Sequence, residues 1–396
     1  MDFRFNSEEQ KLSDWIDDYL RMELPPGWVD EQIIWPGGYG AIVEFEEHDS
    51  FRLEFTKKMY KKGLLSAPKE YGGIGSNAMM QAIMYERLSY YRAPTGGTAN
   101  VISAPTILKF GSEEMKREWI PRIINEGLIF WLGYSEPNSG SDLASMQSRA
   151  FEDGDDLIVN GQKIWSSGAH VADYGWMVAR TDMSVPAHKG TTLFIMDNHS
   201  SGITIRPLIN IVGYHSFNEV FLDNVRVPKK NIIGQMNMGF YYLMAALDFE
   251  RLAISMGGFR REFEDLVKYA RENKRNGRPI GEEPSVRQKL AELAIEIELA
   301  YMFYFKTAWM VDNGLFPNVE ASILKLVSTT LSRKIANVGM EIMGQYGQLS
   351  IGSKCAQMNG RVCIGFLDSI SAVVGAGTSE IQRNIIAQRG LGLPRK

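Results

Sequence analysis

The stretch Asp155–Trp165, DDLIVNGQKIW, decides the architecture, because its period differs from that of the sequence on either side. It alternates about Asn160-Gly161, a pair that tolerates the positive φ angles of a two-residue hairpin turn. A hairpin turning at Asn160-Gly161 is therefore expected. Four more short runs follow: GWMVART, GTTLFIMD, GITIRPL and EVFLDNVRV, separated by turn-rich segments. Strands at such intervals predict a small antiparallel β barrel or sandwich over residues 129–233.

Outward from that block the period becomes helical. Before it, NAMMQAIMYERLSYY brings Met80, Ile83, Met84 and Leu88 to one face of a helix. GSEEMKREWIPRII opens on Ser112, an N-cap type of residue followed by acidic residues in the first turn. After it, residues 238–274 read as one helix broken or loosened near Gly257-Gly258, and two further long helical runs follow. Long helices joined by short turns predict a bundle. The chain is thus mainly α with a middle β domain: helical at 1–128, β at 129–233 and a helical bundle at 234–396.

Composition narrows the function classes. A chain of 396 residues, 44% hydrophobic, suits two or three packed units. Net charge is -4 with interspersed signs and no basic stripe, which argues against nucleic acid as a partner. Cys355 and Cys363 fit neither a disulfide framework nor zinc spacing, so a reducing, cytoplasmic compartment is expected. The N-terminus is acidic and amphipathic, unlike a signal or transit peptide. No apolar run approaches the length of a membrane span. The histidines read as unclustered, with His170, His188 and His215 scattered through polar loops, and no metal site is expected.

Three segments carry candidate chemistry. In WLGYSEPNSGSDLASMQSRA, Ser135-Glu136-Pro137 precedes Gly140-Ser141-Asp142. Small hydroxyl residues and backbone N–H groups beside glycine suit a flat heteroaromatic ring or a pyrophosphate, and equally an interdomain loop. In GQKIWSSGAH, Trp165 with Ser166 and Ser167 can stack on a ring and bond its edge, although tryptophan more often packs a core. YGGIGSNA has the spacing of a dinucleotide fingerprint from Gly73 to Ala78. No strand precedes it and no βα alternation follows, so it reads as a helix-entry loop.

Taken in order, YSEPNSGSD, KIWSSG and the C-terminal GAGTSEIQRNIIAQRGLG resemble the signatures of the acyl-CoA dehydrogenase family, and the likeness covers nearly the whole chain. It implies a helical N-terminal domain, a middle β domain and a C-terminal four-helix bundle holding FAD. Ser135 and the Gly133-Tyr134 backbone would bond the flavin edge. Ser141 would sit between the FAD pyrophosphate and the acyl-CoA. Trp165 would flank the isoalloxazine, with Ser166 and Ser167 near N5. Thr378 and Glu380 would hold FAD at the start of the last helix. Gly344 and Gln345 match a segment that reaches a neighbouring subunit's FAD, which implies an oligomer, either a homotetramer or a mixed tetramer. The implied electron acceptor is an electron-transferring flavoprotein.

Dehydrogenation α,β to a thioester needs a carboxylate over Cα and donors for the developing enolate oxygen. Many members carry that glutamate just before the glycine of the last signature, where this chain has Ala376 before Gly377. The resemblance leaves the Ala376 N–H as an oxyanion donor and places Gly377 beside the substrate. Isovaleryl- and long-chain-type members carry the base on a bundle helix, in an Asp-x-Glu-Arg context. ALDFERLAI matches it with Asp248, Glu250 and Arg251. Glu250 is the expected base, and Asp248 and Arg251 would contact the acyl-CoA or support it. The competing reading is a solvated Glu250, or one paired with Arg251 or Arg261.

One departure stands out. Asn273 and Asn276 occupy the places of a family Arg and Phe in the pyrophosphate site, with Gly277 retained, so Arg271, Lys274 or Arg275 would have to supply the charge. The surrounding style resembles bacterial members acting on steroid side-chain, bile-acid-like or alicyclic acyl-CoAs, and a bulky, branched or cyclic acyl group is expected. A flavin oxidase or hydroxylase on the same fold, and a subunit without its own turnover in a mixed tetramer, are the alternative functions.

Overall fold

The computed structural model describes residues 5–31, 46–63, 67–71, 73, 75, 77–95, 97, 99–252, 254–315 and 317–394, without the side chains of 46–49, 99, 100 and 248–252. The chain forms two compact units. One comprises Met1–Glu44, Asn77–Thr95 and Arg251–Lys396, the other Phe45–Ser76 and Gly96–Glu250.

The second unit contains a seven-stranded sheet of β1 (Phe130–Gly133), β2 (Arg149–Asp153), β3 (Asp156–Lys163), β4 (Tyr174–Arg180), β5 (Thr191–Asp197), β6 (Ile203–Ile209) and β7 (His215–Pro228). Spatial order is β1-β4-β2-β3-β7-β6, with β5 on β4. Leu157, Val159, Phe194, Val220, Val225 and Val227 fill its core. The sheet is antiparallel except at β4, where the expected pattern needs correction: β1 and, through Arg149 and Arg180, β2 pair with it in parallel. β1 runs parallel to β4, with Phe130 opposite Tyr174 and Gly133 opposite Met177. A parallel pair needs a crossover, and the β2–β3 hairpin lies within the segment joining β1 to β4.

The hairpin expected at Asn160-Gly161 is also corrected. β2 and β3 close with Asp153 opposite Asp156, so the turn is Gly154-Asp155. Asn160-Gly161 lies inside β3, at an irregularity in its pairing with β7. A Cβ on Gly161 would sit 2.3 Å from Ser148 Oγ and 2.8 Å from Ser148 Cα, so this glycine serves a close approach, not a turn. The Asn160 carboxamide oxygen instead accepts from Asn224 N at 2.9 Å on β7. The same dipeptide does turn the chain at Asn276-Gly277, where φ angles of 53° and 79° join Lys274–Arg275 to Arg278–Pro279.

Helix starts follow local chemistry. Ser112 caps Glu113–Glu126 by accepting from Met115 N at 3.2 Å. Asn77 caps Ala78–Tyr90 by accepting from Met80 N at 2.8 Å, so a helix starts at Ala78; Ile74 and Ser76 of the preceding glycine-rich stretch lie outside the described residues. The run at 238–274 forms two helices, Gly239–Leu252 and Gly257–Glu272. Ser7–Glu23, Ala78–Tyr90, Gly257–Glu272, Pro284–Asp312, Asn318–Met343, Arg361–Ala372 and the short Ser379–Ile385 make the first unit helical. Leu266, Leu293, Ile297, Leu324, Ile335 and Ile364 are buried there. Each such side chain contributes about 1.5–3 kcal/mol of apolar burial. Among the described residues, no helix is long and apolar enough to cross a membrane.

Candidate active site

In the sheet-containing unit the candidate residues converge on the ends of β1 and β3. Lys163 ends β3 with no exposed surface. Its Nζ donates to Glu136 Oε1 at 2.8 Å and to the Tyr134 carbonyl at 3.2 Å. Glu136 also accepts from the N–H groups of Gln147 at 2.6 Å and Ser148 at 3.0 Å. Burial pushes the Glu136 carboxyl up, but the Lys163 charge and these donors outweigh it and hold the group below the usual carboxylate range. Burial likewise pulls the Lys163 ammonium down, opposed by Glu136. This pair ties Gly133-Tyr134-Ser135 to β3, and Ile164 N adds a bond to the Ser135 carbonyl at 2.9 Å. Glu136 and Ser139 exchange main-chain hydrogen bonds of 2.9 and 3.0 Å, and Ser139 Oγ donates to the Asp142 carbonyl at 2.8 Å. Ser141 is left exposed on that loop.

Beyond Lys163 the chain turns sharply. Trp165 has φ 60° and is 59% exposed, with its ring edge-on to Phe217 at 5.9 Å. It is not core packing. A bulky residue held in the left-handed region is strained, and such strain concentrates at ligand sites. Ser166 is fully buried, and its Oγ has no hydrogen-bond partner among the described residues. Ser167 is exposed. The histidines do cluster here, contrary to expectation: His170 and His215 stack with centroids 3.8 Å apart. Residues distant in sequence meet because β7 lies beside β3, which delivers the loop carrying His170. An exposed indole, exposed hydroxyls on Ser141 and Ser167 and an unpaired buried hydroxyl on Ser166 fit a flat ring with polar edges.

In the helical unit, Ala376 (φ 52°) and Gly377 (φ 90°) form a tight turn before Thr378. Thr378 Oγ1 accepts from Ile381 N at 3.2 Å. Fully buried Gln382 braces the turn, its Nε2 donating to the carbonyls of Ala376 at 3.3 Å and Gly377 at 3.2 Å. Sequence reasoning missed Gln382, although it stands inside the quoted C-terminal signature. Thr378, Glu380 and Arg383 line a groove with Arg333, Lys334 and Asn337 of the Asn318–Met343 helix, and Glu380 pairs with Arg383 at 3.5 Å. Lys334 pairs with Glu296 as Arg383 does with Glu380, so Arg333 and the Thr378 hydroxyl are the lining groups best suited to a phosphate-bearing ligand. Gly344 and Gln345 are not among the residues lining that groove; they lie exposed in the turn Gly344–Gln348.

Of the cations weighed against Asn273, Arg275 is engaged elsewhere. It donates to the Ile342 carbonyl at 2.6 Å, capping a helix C-terminus, and pairs with Glu283 at 3.0 Å. Arg261 likewise pairs with Asp265 at 3.1 Å and Asp30 at 3.3 Å. The side chains of Asp248, Glu250 and Arg251, at the end of the Gly239–Leu252 helix, lie outside the described residues.

Family models for the N-terminal, middle and C-terminal domains of acyl-CoA dehydrogenase match residues 39–127, 132–225 and 237–391. The acyl-CoA dehydrogenase IpdE1 of Mycobacterium tuberculosis is 30% identical over 383 residues, covering 93% of this chain and 96% of that protein. Two solved structures at 30% identity superpose over 100% of both chains: a "Tcur3481-Tcur3483 steroid ACAD" with a TM-score of 0.89, and the ChsE4-ChsE5 complex from Mycobacterium tuberculosis with 0.88.

Proposed function

The chain belongs to the acyl-CoA dehydrogenase family of flavoprotein oxidoreductases acting on CH–CH bonds, and from that premise we propose an FAD-dependent dehydrogenation of a bulky, branched, alicyclic or steroid-like acyl-CoA. The Trp165-Ser166-Ser167 turn is the observation that carries it: a strained, exposed indole beside hydroxyls, held by buried residues. FAD, when bound, supplies the hydride acceptor. Trp165 would flank the ring, Ser135 with the Gly133-Tyr134 backbone would bond its edge, Ser166 and Ser167 would lie near N5, and Thr378 and Glu380 would hold FAD at the start of the last helix. Gly344 and Gln345 would reach a neighbouring subunit's FAD.

Glu250 takes the α-proton, and the Ala376 N–H donates to the enolate oxygen. The base stands at 250 because Ala376 has no side-chain carboxylate. Ser141, Asp248, Arg251 and Gly377 contact the substrate. The likeness to a structure named a steroid ACAD supports a bulky acyl group, and the paired ChsE4-ChsE5 complex makes a mixed tetramer as natural as a homotetramer. Electrons pass to an electron-transferring flavoprotein, in the cytoplasm.

The test is anaerobic titration of the purified flavoprotein with short, long, branched, alicyclic and steroid-like acyl-CoAs. Bleaching of the flavin band by a bulky class, abolished in Glu250→Gln, is expected. Bleaching by straight-chain substrates alone would sink the substrate class. Undiminished bleaching in Glu250→Gln would sink the base.

A further inference from the structure

Asn218, on β7, has no exposed surface, and its amide has one consistent orientation. Nδ2 lies 2.9 Å from the Ser166 carbonyl oxygen, which can only accept. The same Nδ2 is 3.2 Å from His170 Nδ1, so that ring nitrogen is the acceptor. Oδ1 then faces His215 Nε2 at 2.7 Å, and that nitrogen carries the hydrogen. The Asn218 carbonyl accepts from Ser166 N at 3.1 Å. One residue thus takes both main-chain groups of Ser166, while the stacked imidazoles orient its side chain. On either side, Gly168 N donates to the Ser216 carbonyl at 3.1 Å and Phe217 meets the Trp165 ring. A strained φ at Trp165 persists only when its surroundings over-determine it, and residues 216–218 supply that restraint.

We propose that Asn218 and His170 are positioning residues that hold the Trp165-Ser167 turn against the edge of the bound flavin. The proposal rests on the flavin reading above. Neither residue touches the ring; both act through Ser166. His170 matters as an acceptor, so an asparagine, whose carboxamide oxygen can occupy the place of Nδ1, serves there, whereas phenylalanine keeps the stack but loses the bond.

The experiment compares wild type, Asn218→Ala, His170→Asn and His170→Phe by FAD dissociation constant and by the visible spectrum of the bound flavin. Asn218→Ala and His170→Phe are expected to weaken FAD by about tenfold, the scale of one buried hydrogen bond, and to shift the flavin band. His170→Asn stays near wild type. A merely structural role would lower Tm without moving the spectrum and without rescue by asparagine. Unchanged affinity and spectrum in His170→Phe, or a His170→Asn as impaired as His170→Phe, overturns the proposal. If Asn218→Ala does not fold, the two His170 variants decide alone. A wild-type chain that takes up no FAD overturns the flavin reading itself, and the proposal with it.

Discussion

In the helical unit Arg92 and Arg361 share Glu262 and Asp265; in the β unit Lys163 faces Glu136 alone. Arg92 Nη2 lies 2.7 Å from Glu262 and 2.9 Å from Asp265, and Arg361 donates to the same two carboxylates at 2.9 and 2.8 Å. Spare guanidinium donors reach the carbonyls of Val29 at 2.6 Å and Asp30 at 3.3 Å. Arg92 is 170 residues from Glu262, and Arg361 is 99. The Lys163–Glu136 pair spans 27 residues and serves one loop. The same device therefore does two jobs. The first cluster fixes which distant segments meet, and the second shapes the turn that carries the candidate flavin residues. In both, removing one member strands a charge, which costs more than the pair contributes over an apolar replacement.

Arg361→Met should have the largest effect, about 3–5 kcal/mol by urea unfolding, because fully buried Glu262 would keep only Arg92, while Asp265 would keep Arg92 and Arg261. A smaller loss than that of Lys163→Met would break the comparison.

Glu86 sharpens it as a buried carboxylate without a cation bonded to it. It is buried on the Ala78–Tyr90 helix, and neither oxygen meets hydrogen-bond geometry among the described residues, although Arg260, Arg87 and the N–H groups of Met256 and Gly257 lie near enough to favour its charged form. Burial dominates and pushes its pKa from 4.5 to about 7. The folded chain keeps a proton that the unfolded chain releases. Stability from this group is complete below pH 4.5 and is lost as pH rises to about 7. The loss amounts to roughly 3 kcal/mol. Glu86→Gln should lose that dependence, so the difference between variant and wild type should grow in the variant's favour from pH 5 to pH 8. A flat difference across that range refutes it.

Lys163→Met should cost about 2–3 kcal/mol, less than Arg361→Met because Glu136 keeps two main-chain donors. It should also weaken FAD binding, measured by titration, since the Tyr134 carbonyl loses its anchor. The Glu136 contribution runs opposite in pH to that of Glu86: it is present above the ordinary carboxylate range and is lost as pH falls below it. Ser112→Ala should be smallest, about 1 kcal/mol in thermal or urea unfolding, with no effect on FAD.

Much of the architecture was legible in the chain. Ser112 and Asn77 marked helix starts because a cap and the N–H it satisfies are neighbours in sequence. Three ordered signatures brought out the family and named Ser135, Ser141, Trp165 and Thr378 as candidates. Asn-Gly shows where such local reasoning stops. At Asn276-Gly277 nothing competes with the turn. At Asn160-Gly161 the β7 strand and Ser148 claim the same residues for a ladder. The stacking of His170 on His215, the Asn218 hub, the work of Lys163 and the bracing by Gln382 left no mark in the spacing of residues.

Local propensity and residue order thus determined the element types, their succession and the family. They do so because capping, turn formation and helical or strand period depend on residues a few positions apart. Only the tertiary structure decided that β1 lies parallel to β4, that Arg92 and Arg361 share two carboxylates, and that Asn218 grips Ser166. Those contacts join segments separated by long stretches of chain. Burial then required every polar group brought inside to find whichever partner packing had placed beside it.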